Sequence, residues 1–137
     1  MPDFIEEALR FEPPVRGIFR LATRDTRIGE IEVPEGSFVQ LMWASGNRDE
    51  PTFEHPGVFE PERFTGERRP SRPILTFGHG IHLCPGAPLA RLQIRVAFVE
   101  LLRRFRTFQL ADDNTYHYVR SHILRGLSAL WLDLEPA

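Results

Sequence analysis

The sequence predicts a mainly α-helical fold that carries small β-sheets, an α+β arrangement, on three observations. A long apolar repeat at helical spacing runs through Leu89, Leu92, Val96 and Val99 to Leu102 and Phe105. A second helical segment, Ile5 to Phe11, opens the chain. Between them lie short stretches rich in strand formers and punctuated by proline and glycine.

Composition narrows the class before any motif does. The chain has 137 residues, 42% hydrophobic and 26% charged, which is an ordinary globular balance and enough for one modest domain. A formal net charge of −2 gives no global basic field for nucleic acid. The single cysteine cannot close an intramolecular disulfide, which fits a reducing compartment. No apolar run approaches the roughly 18 residues of a membrane span, and no signal-peptide pattern opens the chain. The expectation is a soluble, cytoplasmic protein with neither nucleic acid nor membrane as partner.

In chain order, the Ile5–Phe11 helix should end at Pro13-Pro14, where a helix cannot easily continue. Its Glu7 and Arg10 are three apart and share a face. Val15 to Thr23 reads as extended. Ile28 to Val33 alternates, Pro34-Glu35-Gly36 turns, and Phe38 to Trp43 is rich in strand formers, so a hairpin is expected whose apolar alternation packs into the core. Pro51 to Pro73 has little periodicity, is rich in Pro, Glu and Arg, and holds Phe53, Phe59 and Phe64 as candidate pins. The helix after the cysteine should bury its apolar stripe and end on Arg103-Arg104, which suits its dipole. Tyr116 to Leu134 reads as strands with a turn near Arg125-Gly126.

The stretch Thr76 to Arg91 sets three glycines and two prolines around Cys84, the chain's only cysteine. Gly78, Gly80 and Gly86 can take positive φ at little cost, so the backbone can curl tightly. Cys84 falls where an N-cap would fall and Pro85 where the first helical residue would, a position that suits its fixed φ. A thiol at a helix N-terminus is shifted toward thiolate, and a thiolate is a ligand for haem iron.

The pattern Phe77-x-x-Gly80-x-x-x-Cys84-x-Gly86, followed by Ala87 and Leu89-Ala90-Arg91, is similar to the haem-binding signature of the cytochrome P450 family, the haem-thiolate monooxygenases. The resemblance implies the C-terminal haem-binding portion of that fold. Residues 1–12 would be its Glu-x-x-Arg helix, 15–43 a β region, 44–75 the meander, 76–91 the cysteine loop, 86–106 the proximal helix and 107–137 a C-terminal β region. Whole members are much longer, so the chain is expected to be the last third of one. The N-terminal helices and the distal helices, including the oxygen-activating one with its acidic residue and threonine, would lie outside it.

The same resemblance assigns roles. Cys84 is the axial iron ligand and the catalytic residue, and Phe77, Gly78, Gly80, His82, Gly86 and Ala90 surround the haem. Arg20 and His82 face its propionates, where a guanidinium can donate two parallel hydrogen bonds. Glu7, Arg10 and Arg63 form an ion network, the last from Pro61-Glu62-Arg63-Phe64. Val15, Gly17, Ile18, Ile123 and Leu124 face the substrate, and His79 stays unassigned. Arg68, Arg69 and Arg72 are either a solvated loop or part of a positive face for an acidic ferredoxin. The implied cofactor is haem b, iron protoporphyrin IX, used with O2 and NAD(P)H-derived electrons delivered by a ferredoxin-type partner. The implied substrate is a small apolar molecule, and the missing N-terminal portion could be supplied by another chain. Three functions fit: a piece of a monooxygenase, a haem-binding or electron-handling module, and a degenerate truncated product marked by exposed apolar surface.

Overall fold

The computed structural model describes residues 1–137. Helix α1 spans Pro2–Phe11, with proline and Asp3 in its first turn and Arg10 in its last, each placed where the helix ends favour it. It stops at Phe11 and the following prolines prevent its continuation, as the sequence predicts. Its inward residues Ile5 and Leu9 join Phe53, Phe64 and Ile74 in the one core cluster, with Phe4, Phe77 and Ile94 packed against it. Phe59 lies outside that cluster but sets its ring edge-on to both Phe4 and Phe11, so all three phenylalanines of the meander pin it to α1.

The β region differs from the expected hairpin. Strand β1 (Ile18–Leu21) pairs antiparallel with β4 (Phe38–Leu41), with Ile18 opposite Leu41 and Leu21 opposite Phe38. Between them, β2 (Thr26–Ile28) and β3 (Ile31–Val33) form a hairpin of their own, so Ile28–Val33 is two strands and not one. The cause is Gly29, whose φ of 59° places it in the left-handed region and lets a two-residue turn form inside the alternating stretch. Apolar alternation here does not mark core either: Ile28, Ile31 and Phe38 are exposed, and Val33 is the buried one.

After the short helix α2 (Trp43–Gly46), the meander takes single 3₁₀ turns at Pro61–Phe64 and Gly66–Arg68. Helix α3 spans Ala87–Arg104 and ends on the two expected arginines. The chain then enters strand β5 (Phe105–Leu110) one residue earlier than the helical spacing suggests. The two phenylalanines and threonine of β5 favour strand, and β6 (Leu132–Pro136) pairs with it antiparallel. The tail before β6 is not the expected run of strands: it makes single bridges, Tyr118 to Leu127 and Leu124 to Val15, and the chain bends at His122-Ile123, with Gly126 accepting from the Val119 N–H instead of turning.

The apolar stripe of α3 is not core in this chain. Leu89, Leu92, Val96, Val99 and Leu102 are all exposed, and Ala87 alone in the helix is buried. Helical spacing reports that one face is apolar, and only a partner surface can make that face interior.

Candidate functional site

The glycine loop is held by main-chain bonds that run in steps toward the sulfur. Gly78 N–H donates to the Leu75 carbonyl at 2.8 Å, and Cys84 N–H donates to the Phe77 carbonyl at 2.8 Å. Gly78 has a φ of 76°, and a Cβ there would lie 2.9 Å from the His82 carbonyl oxygen, so only glycine lets the two limbs close. Gly80 is also left-handed, at 64°.

Two expectations for this loop are corrected. Gly86 has a φ of −83° and is itself the N-cap of α3, with Pro88 in the first turn. Cys84 therefore precedes the N-cap by two residues. The reason is a tight turn closed by the Ala87 N–H on the Cys84 carbonyl at 3.2 Å. Pro85 serves as its first central residue, where its fixed φ is equally suitable. Cys84 is an exposed free thiol.

Beside the loop lies an open cavity of about 380 Å³ whose wall includes Ile18, Leu41, Trp43, Arg20, His79 and His82. It brings Arg20 and His82, separated by 62 positions in sequence, to one site two residues from the cysteine. The Arg20 guanidinium donates only to the carbonyl of the neighbouring Phe19, at 3.0 Å. Phe77 is half-buried between the loop and α3, with the Arg91 guanidinium 4.5 Å above its ring. Arg91 in turn forms a two-pronged pair with the Glu6 carboxylate. Hydrogen bonding from Glu6 pushes the Arg91 guanidinium up from its ordinary value, against the opposing effect of burial. Ala90 sits on the first turn of α3, its N–H bonded to the Gly86 carbonyl at 2.9 Å.

The expected ion network is present and completely buried. Arg10 donates to Glu7 through Nε at 2.7 Å and Nη2 at 2.8 Å, and Arg63 Nε reaches the same carboxylate at 3.2 Å. The Glu60 N–H adds a bond at 2.8 Å. Burial alone would push the Glu7 carboxyl up. The Arg10 hydrogen bond, the Glu60 N–H and the guanidinium charges outweigh it and hold the carboxyl below its ordinary value. The outward nitrogens of Arg10 donate to the carbonyls of Asn47, Pro56 and Val58, and Arg63 ties the carbonyls of Glu54, His55 and Val58. Two arginines thus fix the entire turn of the meander.

Sequence reasoning missed Asn47 and Thr76. Asn47 is fully buried, its Nδ2 donates to Thr76 Oγ1 at 2.9 Å, and its Oδ1 accepts from the Leu75 N–H at 2.6 Å. Thr76 Oγ1 donates to the Leu9 carbonyl at 2.7 Å. The only local signal, Gly46-Asn47 at the end of a short helix, reads as a cap, and Asn47 is indeed the C-cap of α2.

The substrate-side candidates are assembled in part. Val15 bridges Leu124, and the Arg16 N–H donates to the Ile123 carbonyl at 2.6 Å, so the tail folds back on the segment before β1. Gly17 is instead buried against the β4 end, where an added Cβ would lie 2.3 Å from the Leu41 carbonyl oxygen. The arginine cluster is largely neutralised: Arg68 pairs with Glu60 at 2.7 Å and Arg69 with Asp3 at 3.8 Å.

These residues fit a haem. Cys84 presents a single exposed sulfur, the donor type that a haem iron takes from a cysteine-ligated protein. The adjoining cavity offers apolar wall and the side chains of Arg20, His79 and His82, whose nitrogens can donate to carboxylates. This combination defines a class of protein that presents one cysteine sulfur beside an apolar cavity.

The chain belongs to the cytochrome P450 family, matching the family described as Cytochrome P450 over residues 1–119. It is 42% identical over 131 residues to cytochrome P450 119 of Sulfolobus acidocaldarius, covering 96% of this chain and 33% of that protein. Among solved structures it is similar to CYP109Q5 from Chondromyces apiculatus, with a TM-score of 0.87 and 38% identity over 99% of this chain and 33% of that one. It is also similar to an intact type IV self-sufficient cytochrome P450 monooxygenase, with a TM-score of 0.86 and 34% identity over 98% of this chain and 17% of that one. The chain therefore spans about a third of the length of the curated relatives it matches.

Proposed function

We propose that the chain forms the cysteine-bearing side of a haem-thiolate monooxygenase, with Cys84 as the axial ligand of haem b. The observation that carries the reading is an exposed sulfur on a loop fixed by the Phe77–Cys84 and Leu75–Gly78 main-chain bonds, next to a cavity that gathers Arg20 and His82. When bound, the haem would supply O2 activation with NAD(P)H-derived electrons, and the thiolate would make it electron-rich. In this reading Arg20 and His82 orient the propionates, Phe77 and Gly86 close around the sulfur, and Ala90 keeps the first turn of α3 small. Val15, Ile18, Ile123 and Leu124 meet a small apolar substrate. The electrons come from a redox partner, in this reading of the ferredoxin type, in a cytoplasmic setting. One similar solved structure is described as a self-sufficient monooxygenase, which supports a need for electron delivery to this fold. Turnover in this reading needs the remaining two-thirds of the fold.

The test is spectroscopic. The 137-residue chain is mixed with haemin, reduced and exposed to carbon monoxide, and its Soret band is compared with that of Cys84→Ala. A strongly red-shifted band present in the wild type and lost in the variant is the expected result. Identical spectra for the two chains would overturn the assignment of Cys84.

A further inference from the structure

We infer that Asn47 is a positioning residue for Cys84, transmitting the rigidity of the buried Glu7–Arg10–Arg63 cluster to the ligand loop through Leu75 and Thr76. The inference rests on the proposed ligand role for its consequence, but its geometry stands without haem.

Asn47 hydrogen-bonds to both systems at once, beside the apolar packing of Ile74 and Phe77 on the α1 core and the Thr76 tie to Leu9. Its main-chain carbonyl accepts from Arg10 Nη1 at 2.9 Å, on the cluster side. Its carboxamide binds both the Leu75 N–H, at 2.6 Å, and the Thr76 hydroxyl, at 2.9 Å, on the loop side. From Leu75 the Leu75–Gly78 bond enters the loop, and Phe77, next to Thr76, accepts the Cys84 N–H. A carboxamide is needed because it accepts from one neighbour and donates to the other in the same plane. Thr76 cannot satisfy its hydroxyl alternately, since its proton is committed to the Leu9 carbonyl at 2.7 Å. Losing the carboxamide leaves the part-buried Leu75 N–H without its side-chain acceptor and the buried Thr76 hydroxyl with only its bond to Leu9.

Native-state hydrogen exchange of the 137-residue chain tests this without any cofactor. In Asn47→Leu and Thr76→Val, exchange at the Leu75 and Cys84 amides should accelerate about tenfold relative to the amides of Leu9 and Arg10, the size of one buried hydrogen bond. Thr76→Ser, which keeps the hydroxyl, should retain wild-type protection. The inference is overturned by three results: an unprotected Cys84 amide in the wild type, unchanged Cys84 exchange in both variants, or a loss that extends equally through α1. In the haemin and carbon monoxide experiment, Asn47→Leu should lose part of the red-shifted band while Thr76→Ser keeps it. If wild type and Cys84→Ala give the same spectrum, the ligand reading fails, and the exchange result still decides the role of Asn47.

Discussion

The two halves of the molecule solve opposite problems. Around α1 and the meander, polar and apolar groups are interior together: Glu7, Arg10, Asn47, Arg63 and Thr76 are buried beside Ile5, Leu9, Phe53 and Phe64, with no side-chain donor or acceptor unpaired. From Leu89 onward the reverse holds, and α3, β5 and β6 display leucines, valines and phenylalanines to solvent. Only 16 of 137 residues are buried, and after Ala87 none is, so the cohesion of the chain is concentrated ahead of the cysteine. The contrast teaches that the cysteine loop is anchored from its N-terminal side. Its C-terminal side, α3, is joined to α1 by the Glu6–Arg91 pair, the Phe4–Phe98 edge contact and the partly buried Ile94.

The most severe way to break that contrast is to remove Glu7. Glu7→Ala leaves two guanidinium groups buried without a carboxylate, and the expected loss is about 3–5 kcal/mol, enough to unfold a marginal domain. Chemical denaturation followed by circular dichroism measures it; a loss under 1 kcal/mol would show that the network is not the anchor. The same carboxylate gives a pH dependence of defined sign. Its folded value lies below the ordinary 4.5, so the folded chain binds fewer protons than the unfolded one. Its stabilisation is complete above that ordinary value and is lost as the pH falls from there through the lower folded value. Acid titration of Glu7→Gln should show a shallower decline across that window than the wild type.

A smaller effect is expected at Gly17, on the boundary between the halves. A methyl group there meets the Leu41 carbonyl at 2.3 Å, a main-chain atom that cannot rotate away. Gly17→Ala should push β1 from β4 at a cost of about 1–3 kcal/mol. Thermal melting checks it, and an unchanged midpoint would mean that the β1–β4 ribbon shifts freely.

Much of the anchored half was legible before any coordinates. Glu7 and Arg10 lie three apart on a helix that two prolines terminate, and Arg63 sits in a motif that the family resemblance pairs with them. Their burial and the thirdfold tie to the meander carbonyls follow from tertiary packing, which no local pattern encodes. Asn47 escaped because a Gly-Asn step at a helix end has a complete local explanation as a cap, so nothing in the sequence demanded a second task for the carboxamide. The loop register slipped for a related reason: Pro85 is equally compatible with a first helical turn and with a tight turn, and the Cys84–Ala87 bond selects the second. The hairpin was misjudged because alternation runs through Gly29 without a break, and only the positive φ reveals the turn. In the exposed half the periodicity of α3 gave the helix correctly and its burial wrongly, since spacing cannot say what covers a face.

That last point sets the smallest and most discriminating prediction. Val96 is 52% exposed on α3, so Val96→Gln should change stability by no more than about 0.5 kcal/mol. The loss of a β-branched residue from the helix even favours the variant slightly. The same polar substitution at Ile5, 3% exposed, should cost several times more, because it buries an unpaired amide and removes core volume. A row of exposed apolar side chains such as Leu89, Leu92, Val96 and Val99 marks a surface that associates or aggregates, so the measurement belongs at two protein concentrations. A cost of about 2 kcal/mol for Val96→Gln that grows with concentration would mean that a second copy covers α3 in solution. A negligible, concentration-independent cost would confirm that the stability of this chain resides ahead of Cys84, and that α3 is held to α1 through Arg91, Ile94 and Phe98 and not through the face that carries Val96.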